Sequence, residues 1–208
     1  MCLIMTALPK RDRRAERRAE TRREIVDAAW DVARTEGLAM VTLKAIAQRV
    51  GMQAPSLYSH FDSKNAIYDA MFIQAWSDVL AAFDDAGPPP ARPRQALLWL
   101  AERFFDFSLA DVARYQLMNR ATVHDFQPSD EAYSKSLAAY ERMRAVLGGA
   151  GVHRQADLDL WTAVTGGAID QQLANERGGS RWRRQLPRIV DMFADEVGIP
   201  APRLTRQR

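Results

Sequence analysis

Eight cationic side chains crowd the first twenty-three residues, Lys10, Arg11, Arg13, Arg14, Arg17, Arg18, Arg22 and Arg23, against Asp12, Glu16 and Glu20. That segment carries a net +5, whereas residues 24–208, with 21 basic and 23 acidic side chains, carry −2. The formal net charge of +3 therefore hides a positive field at one end, as expected of an arm that tracks phosphates or enters a minor groove; a solvated basic helix would carry the same charge. The other residues able to do chemistry do not assemble. His60, His124 and His153 are far apart, without the carboxylate or cysteine spacing of a metal site or a catalytic triad, and Cys2 is the only thiol. No enzymatic activity, cofactor or metal is expected, and the lack of a disulfide framework suits a reducing cytoplasm.

A second polar set lies on helices. In Val41 to Lys64, Thr42 can cap a helix whose Leu43, Ile46, Ala47 and Val50 fall on one face, and Gly51 ends it. Pro55 suits the first turn of a second helix, in which Leu57 and Phe61 share a buried face opposite Ser56, Ser59 and His60. Two helices joined by a short glycine turn are the arrangement that lays its second helix in a DNA major groove; a plain helical hairpin has the same pattern. The basic segment just before it favours nucleic acid.

These helices need a frame. Thr21 to Glu36 reads as a helix through Ile25, Ala28, Ala29 and Val32, stopped by Gly37, and must pack across the next two, which are too short to stand alone. Asp62 or Ser63 can cap a long helix over Ala66 to Phe83, and AGPPPARP at 86–93 is an extended link with Pro93 opening the next helix. Further helical patterns cover Arg94 to Leu109, Ala110 to Asn119, a stretch capped by Ser129 and stopped by Gly148-Gly149, Asp157 to Glu176, and a last one near Pro187 ending about Val197. His124 to Pro128 reads as a loop. The glycines Gly166 and Gly167 inside a helix each cost about 1 kcal/mol relative to alanine, so close approach of another helix is expected there. At 47% hydrophobic and 26% charged residues, without a run of about eighteen apolar residues, the 208-residue chain reads as soluble and globular; MCLIMTAL is too short for a secretory signal. The class is all-α, about nine helices: a basic flexible arm at 1–20, a helix-turn-helix head at 21–66, a helical body at 67–200 and a tail at 201–208.

The segment TRREIVDAAWDVARTEGLAMVTLKAIAQRVGMQAPSLYSHFDSKNAIYDAMF resembles the N-terminal domain of the tetracycline-repressor (TetR) family of bacterial transcription regulators. The likeness is carried by Glu36-Gly37, Thr42-x-x-x-Ile46-Ala47, Val50-Gly51 and Leu57-Tyr58-x-His60-Phe61-x-Ser63-Lys64. It implies an all-α homodimer that binds double-stranded operator DNA, takes a small-molecule effector of unspecified identity in its C-terminal domain, and touches no membrane. It places Thr42 and Lys44 at the DNA, and on the following helix Gln53, Ala54, Pro55, Ser56, Tyr58, Ser59 and His60. Tyr58, His60 and Lys64 suit phosphates, Gln53 an adenine edge, Lys44 guanine, and Ala54 and Pro55 a thymine methyl. Gln53 stands where the family often has Ser or Thr, so it either caps the recognition helix weakly or reads a base.

In the body, Trp161-x-x-x-Thr165-Gly166 is similar to a Trp-x-x-x-His-Gly signature of one group in the family, with Thr165 in place of histidine. The family's final helix pair implies a dimer interface through the last two helices. Trp99, Phe104, Tyr115, Met118, Tyr140, Trp161 and Thr165 are the candidate pocket residues, suiting an apolar or aromatic ligand. The rival readings are a dimeric ligand-sensing adaptor of the same fold without sequence-specific DNA contacts, and an enzyme using the helical cavity, for which no polar catalytic set is found.

Overall fold

The computed structural model describes residues 13–119, 123 and 125–201, and among them it contains nine α-helices and no strand. Cys2, Lys10, Arg11, Asp12, His124 and the tail from residue 202 lie outside the described residues. The chain divides into two compact units, one ending at Met71 and the other starting at Phe72, and the division falls within a helix.

The first unit is built from α1 (Arg13–Glu36), α2 (Leu43–Val50), α3 (Ala54–Leu57) and the start of α4 (Lys64–Asp85). α1 buries Ile25, Val26, Ala28, Ala29, Trp30, Val32 and Ala33 and packs on α2, which packs on α3. It begins eight residues before the expected Thr21, so residues 13–20 of the supposed arm are helical. Ala15, Ala19 and the straight-chain Arg and Glu side chains favour helix without needing a buried stripe. Thr42 caps α2, its hydroxyl accepting from Ala45 N at 3.1 Å, and Gly51 closes it at φ 68° and ψ 28° in the left-handed region. Ser63, rather than Asp62, caps α4, accepting from Ala66 N at 3.1 Å.

Tyr68 fixes the connection after α1. Fully buried, it donates to Leu38 O at 2.8 Å, and burial pushes its phenol from 10.0 up to about 12. The folded chain keeps this proton where the unfolded chain releases it, so the stabilisation is whole below pH 10 and is lost between about pH 10 and 12. Tyr68→Phe is expected to flatten that alkaline limb in urea unfolding, and to lose about 1 kcal/mol at pH 7.

The second unit surrounds α5 (Pro93–Ala110), which touches α6 (Val112–Asn119), α7 (Asp130–Gly149), α8 (Gln155–Asn175) and α9 (Leu186–Glu196). Pro93 opens α5 after the non-helical 86–92 link. Ser129 caps α7 through Ala132 N at 3.2 Å, with Asp130 and Glu131 in its first turn beside the positive helix end. The core gathers Phe105, Tyr115, Ala168, Ile169 and Leu186. Two arginines clasp it: Arg183 grips both Asp106 carboxylate oxygens at 2.7 and 2.8 Å, and Arg94 joins Asp191, Asp195 and the Pro200 carbonyl. Both guanidiniums are held above their ordinary pKa, foremost by hydrogen bonds to Asp106 and Asp195 respectively. Pro187 sits in the first turn of α9, which a short 3-10 turn at Arg183–Gln185 precedes. The close helix expected over Gly166 and Gly167 is not supplied by the described residues: a Cβ at either would meet nothing within 4 Å.

Candidate functional site

The head presents its polar residues because its apolar ones are spent inward. On α3, Leu57 is fully buried and Phe61, one turn on, is 2% exposed, while Gln53, Pro55, Ser56, Tyr58 and Ser59 lie in solvent. Burying two such side chains supplies about 1.5–3 kcal/mol each, which fixes the sign of the face. Thr42 and Lys44 are exposed at the start of α2, Ala54 and His60 are half-buried, and Tyr58 is 56% exposed.

α3 itself is four residues long, shorter than the single helix expected to carry both Leu57 and Phe61. Beyond it the backbone closes by three-residue steps, Tyr58 N to Pro55 O, Ser59 N to Ser56 O and His60 N to Leu57 O, before Phe61 N bonds Leu57 O at 2.9 Å. Gln53 occupies the N-cap with extended backbone and makes no side-chain capping bond. Its amide is thus uncommitted to the helix, and the preceding turn is held without it. Ser59 donates its hydroxyl proton to Ser56 O at 2.7 Å, so it offers a partner only its lone pairs. Lys64 stands over the Tyr68 ring at 5.2 Å, a cation–π contact that draws it toward its own unit.

Two arginines of the expected phosphate-tracking segment do something the sequence did not signal. Arg18 donates to Ser59 O at 3.0 Å, and Arg22 donates to His60 O while its guanidinium lies 3.9 Å from the Phe61 ring centroid. They satisfy the open carbonyls of the turns just after α3 and hold that segment to α1. Arg49 makes a second tie, from α2 to Glu36 at 3.0 Å.

The second unit encloses a cavity of about 160 Å³ among α4 to α8. Of the seven candidates, Phe104, Tyr115, Tyr140, Trp161 and Thr165 line it. Trp99 and Met118 do not: Trp99 packs on Phe83 at 5.6 Å between centroids, and Met118 is buried elsewhere in the unit. Trp76, Asn119, Ser136 and Met143 line it too and were missed. A helical stripe identifies what is buried but not which buried side chains border a void.

A short helix turned outward on an anchored helix pair, in a chain that also carries an all-helical body with an apolar cavity, is the layout of a bacterial one-chain DNA-binding regulator. Residues 25–71 match the family model described as bacterial regulatory proteins, tetR family. The uncharacterized HTH-type transcriptional regulator Rv0681 of Mycobacterium tuberculosis (strain ATCC 25618 / H37Rv) is 28% identical over 150 residues, covering 70% of this chain and 67% of that protein. The tetracycline repressor protein class D of Escherichia coli is 31% identical over 70 residues, which cover 34% of this chain and 30% of the repressor. Among solved structures, the TetR family transcriptional regulator PfmR from Thermus thermophilus has a TM-score of 0.60 at 22% identity, over 81% of this chain and 96% of that one. The multidrug binding protein EbrR complexed with imidazole has a TM-score of 0.63 at 20% identity, over 94% and 100%. At these identities the structures establish the fold. The head at residues 25–71 is a helix-turn-helix of the tetR family of bacterial regulatory proteins, and the described chain has an all-helical fold shared with solved regulators of that type. Among the described residues no acidic, histidine or cysteine cluster could hold a metal, and no helix is long and apolar enough to cross a membrane.

Proposed function

We propose that the protein is a dimeric repressor, acting in the bacterial cytoplasm, that leaves a near-palindromic operator when a small, largely apolar ligand enters the body. The observation that carries this reading is the outward polar row of the head, Lys44, Gln53, Ser56 and Tyr58, set on a helix pair whose opposite side is locked by Leu57 and Phe61. In this reading residues 21–66 bind DNA, aided by the arm at 1–20, and residues 67–200 bind ligand and dimerise. Lys44 and Gln53 read base edges, Ala54 and Pro55 meet thymine methyls, Tyr58, His60 and Lys64 hold phosphates, and Thr42, Ser56 and Ser59 lie along the groove edge.

A second copy is the partner for the last two helices. Leu160 and Met192 stand 38% and 62% exposed, beside the open side of Gly167 and a groove lined by Ala163, Val164 and Ile189. Glycine and alanine there let a neighbouring backbone approach, which offsets the glycine's helix cost. The likeness to the Trp-x-x-x-His-Gly group belongs to the same proposal. Thr165 takes the histidine's place, with its hydroxyl proton already given to Trp161 O at 2.8 Å. A ligand releases DNA by preferring a conformation whose heads are wrongly spaced, and the loss of DNA affinity equals that preference.

The test is a gel-shift titration of the full chain on its own promoter region at several salt concentrations. Lys44→Ala and Tyr58→Ala should each weaken binding about tenfold, and the affinity of the unaltered chain should fall steeply as salt rises. Unchanged affinity in both variants, or no salt dependence, would sink the proposal and favour the adaptor without DNA contacts.

A further inference from the structure

The cavity of the body has an unusual balance of polar groups. No Asp, Glu, Lys, Arg or His is among its described lining residues. Four of its five hydroxyl protons are already given away: Thr165 to Trp161 O, Thr162 to Leu158 O, Ser136 to Tyr133 O, and Tyr115 to the Asp170 carboxylate at 3.0 Å. The Asn119 amide donates to Tyr115 O, and the Tyr140 oxygen accepts from Gln155. Among the described lining residues, the side-chain polar atom that is buried with no partner is Trp76 Nε1. An indole N–H can only donate, so its missing counterpart is an acceptor.

Size narrows the guest further. A volume of about 160 Å³ matches the roughly 150 Å³ apolar cavities that take up benzene. The walls, with Phe104, Tyr115, Tyr140 and Trp161, offer ring faces and edges on several sides. We propose that the cavity takes a neutral compound of one aromatic ring bearing a single carbonyl-type acceptor, such as an aryl ketone, aldehyde or ester, with that acceptor on Trp76 Nε1. This rests on the reading of the body as the effector site. Anionic guests are disfavoured because a carboxylate or phosphate taken into these walls loses its water and finds no cation.

Calorimetric titration of the purified full chain with acetophenone, ethylbenzene and benzoate tests the assignment. Ethylbenzene matches the ketone in shape but lacks the acceptor. Acetophenone should bind at least about tenfold more tightly than ethylbenzene, the usual difference when a buried donor is met or left open, and benzoate should not bind measurably. Trp76→Phe keeps a ring and removes the donor, so the two neutral compounds should then bind alike. If that variant misfolds, the wild-type indole N–H resonances serve: one should move on adding acetophenone and stay on adding ethylbenzene. Equal affinities in the wild-type chain, a preference that survives Trp76→Phe, or tight benzoate binding would overturn the proposal. The broader reading is separated by adding the same compounds to the operator complex. Acetophenone that binds through Trp76 without freeing DNA upholds the ligand class and defeats the effector role. Release by larger or charged compounds, with acetophenone unbound, does the reverse.

Discussion

Leu57→Ala is expected to remove operator binding from a chain whose body still folds. Leu57 is fully buried, and truncating a leucine in such a place costs about 2–5 kcal/mol through lost transfer energy and the cavity left behind. The four-residue α3 cannot make up that loss from its own hydrogen bonds, since a helix of this length is unstable alone. A head of this size shifts about 4–8 °C per kcal/mol, so its melting temperature should fall by roughly 10 °C or more. Circular dichroism against temperature and a gel shift on the same sample check both parts. Ser56→Ala, exposed on the other face, serves as the control, with an unfolding change within about 0.5 kcal/mol. An unaltered melting curve for Leu57→Ala would mean that the recognition helix is held by something other than its buried anchor.

Arg94→Met should be the most damaging single charge removal in the body. Met keeps the apolar stem but strips away a guanidinium that donates to Pro200 O at 3.2 Å, to the Asp191 carboxylate at 3.1 Å, and to Asp195 and Ile199 O. These bonds tie the first turn of α5 to α9 and to the chain just after it, across a sequence gap of about a hundred residues. The side chain is 11% exposed, so its bonds are poorly replaced by water, unlike those of an ordinary surface ion pair. A loss of about 2–3 kcal/mol is expected, which lowers the body's melting temperature by roughly 5–10 °C. Differential scanning calorimetry should show the shift in the body's transition while operator contacts in the head stay intact. A transition moved by less than about 1 °C would show that the clasp stabilises nothing.

Elements with an apolar period or a capping residue were legible in the chain itself. Thr42, Gly51, Ser63, Pro93 and Ser129 sit at the helix ends their chemistry predicts, because a cap is decided by a few neighbouring atoms. The start of α1 was not legible, since residues 13–20 have no apolar stripe and their helix rests on propensity alone. Nor was the role of Arg18 and Arg22, whose partners lie 41 and 38 residues away in sequence. The cavity was half legible. Aromatic positions could be nominated from their spacing, but Trp76, which enters from α4, was not among them, and Trp99 turns to Phe83. Gly166 and Gly167 stand out in the sequence as needing a reason, and among the described residues no neighbour supplies one.

The brevity of the recognition helix has an evolutionary side. Its hold on the protein runs through Leu57, Phe61 and the two arginine bonds to backbone carbonyls, none of which uses the side chains of Gln53, Ser56 or Tyr58. If these side chains read DNA as proposed, they can be exchanged almost independently of the fold that carries them. A lineage with this head is free to drift toward new operators by single substitutions, each tested for what it binds and seldom rejected for failing to fold.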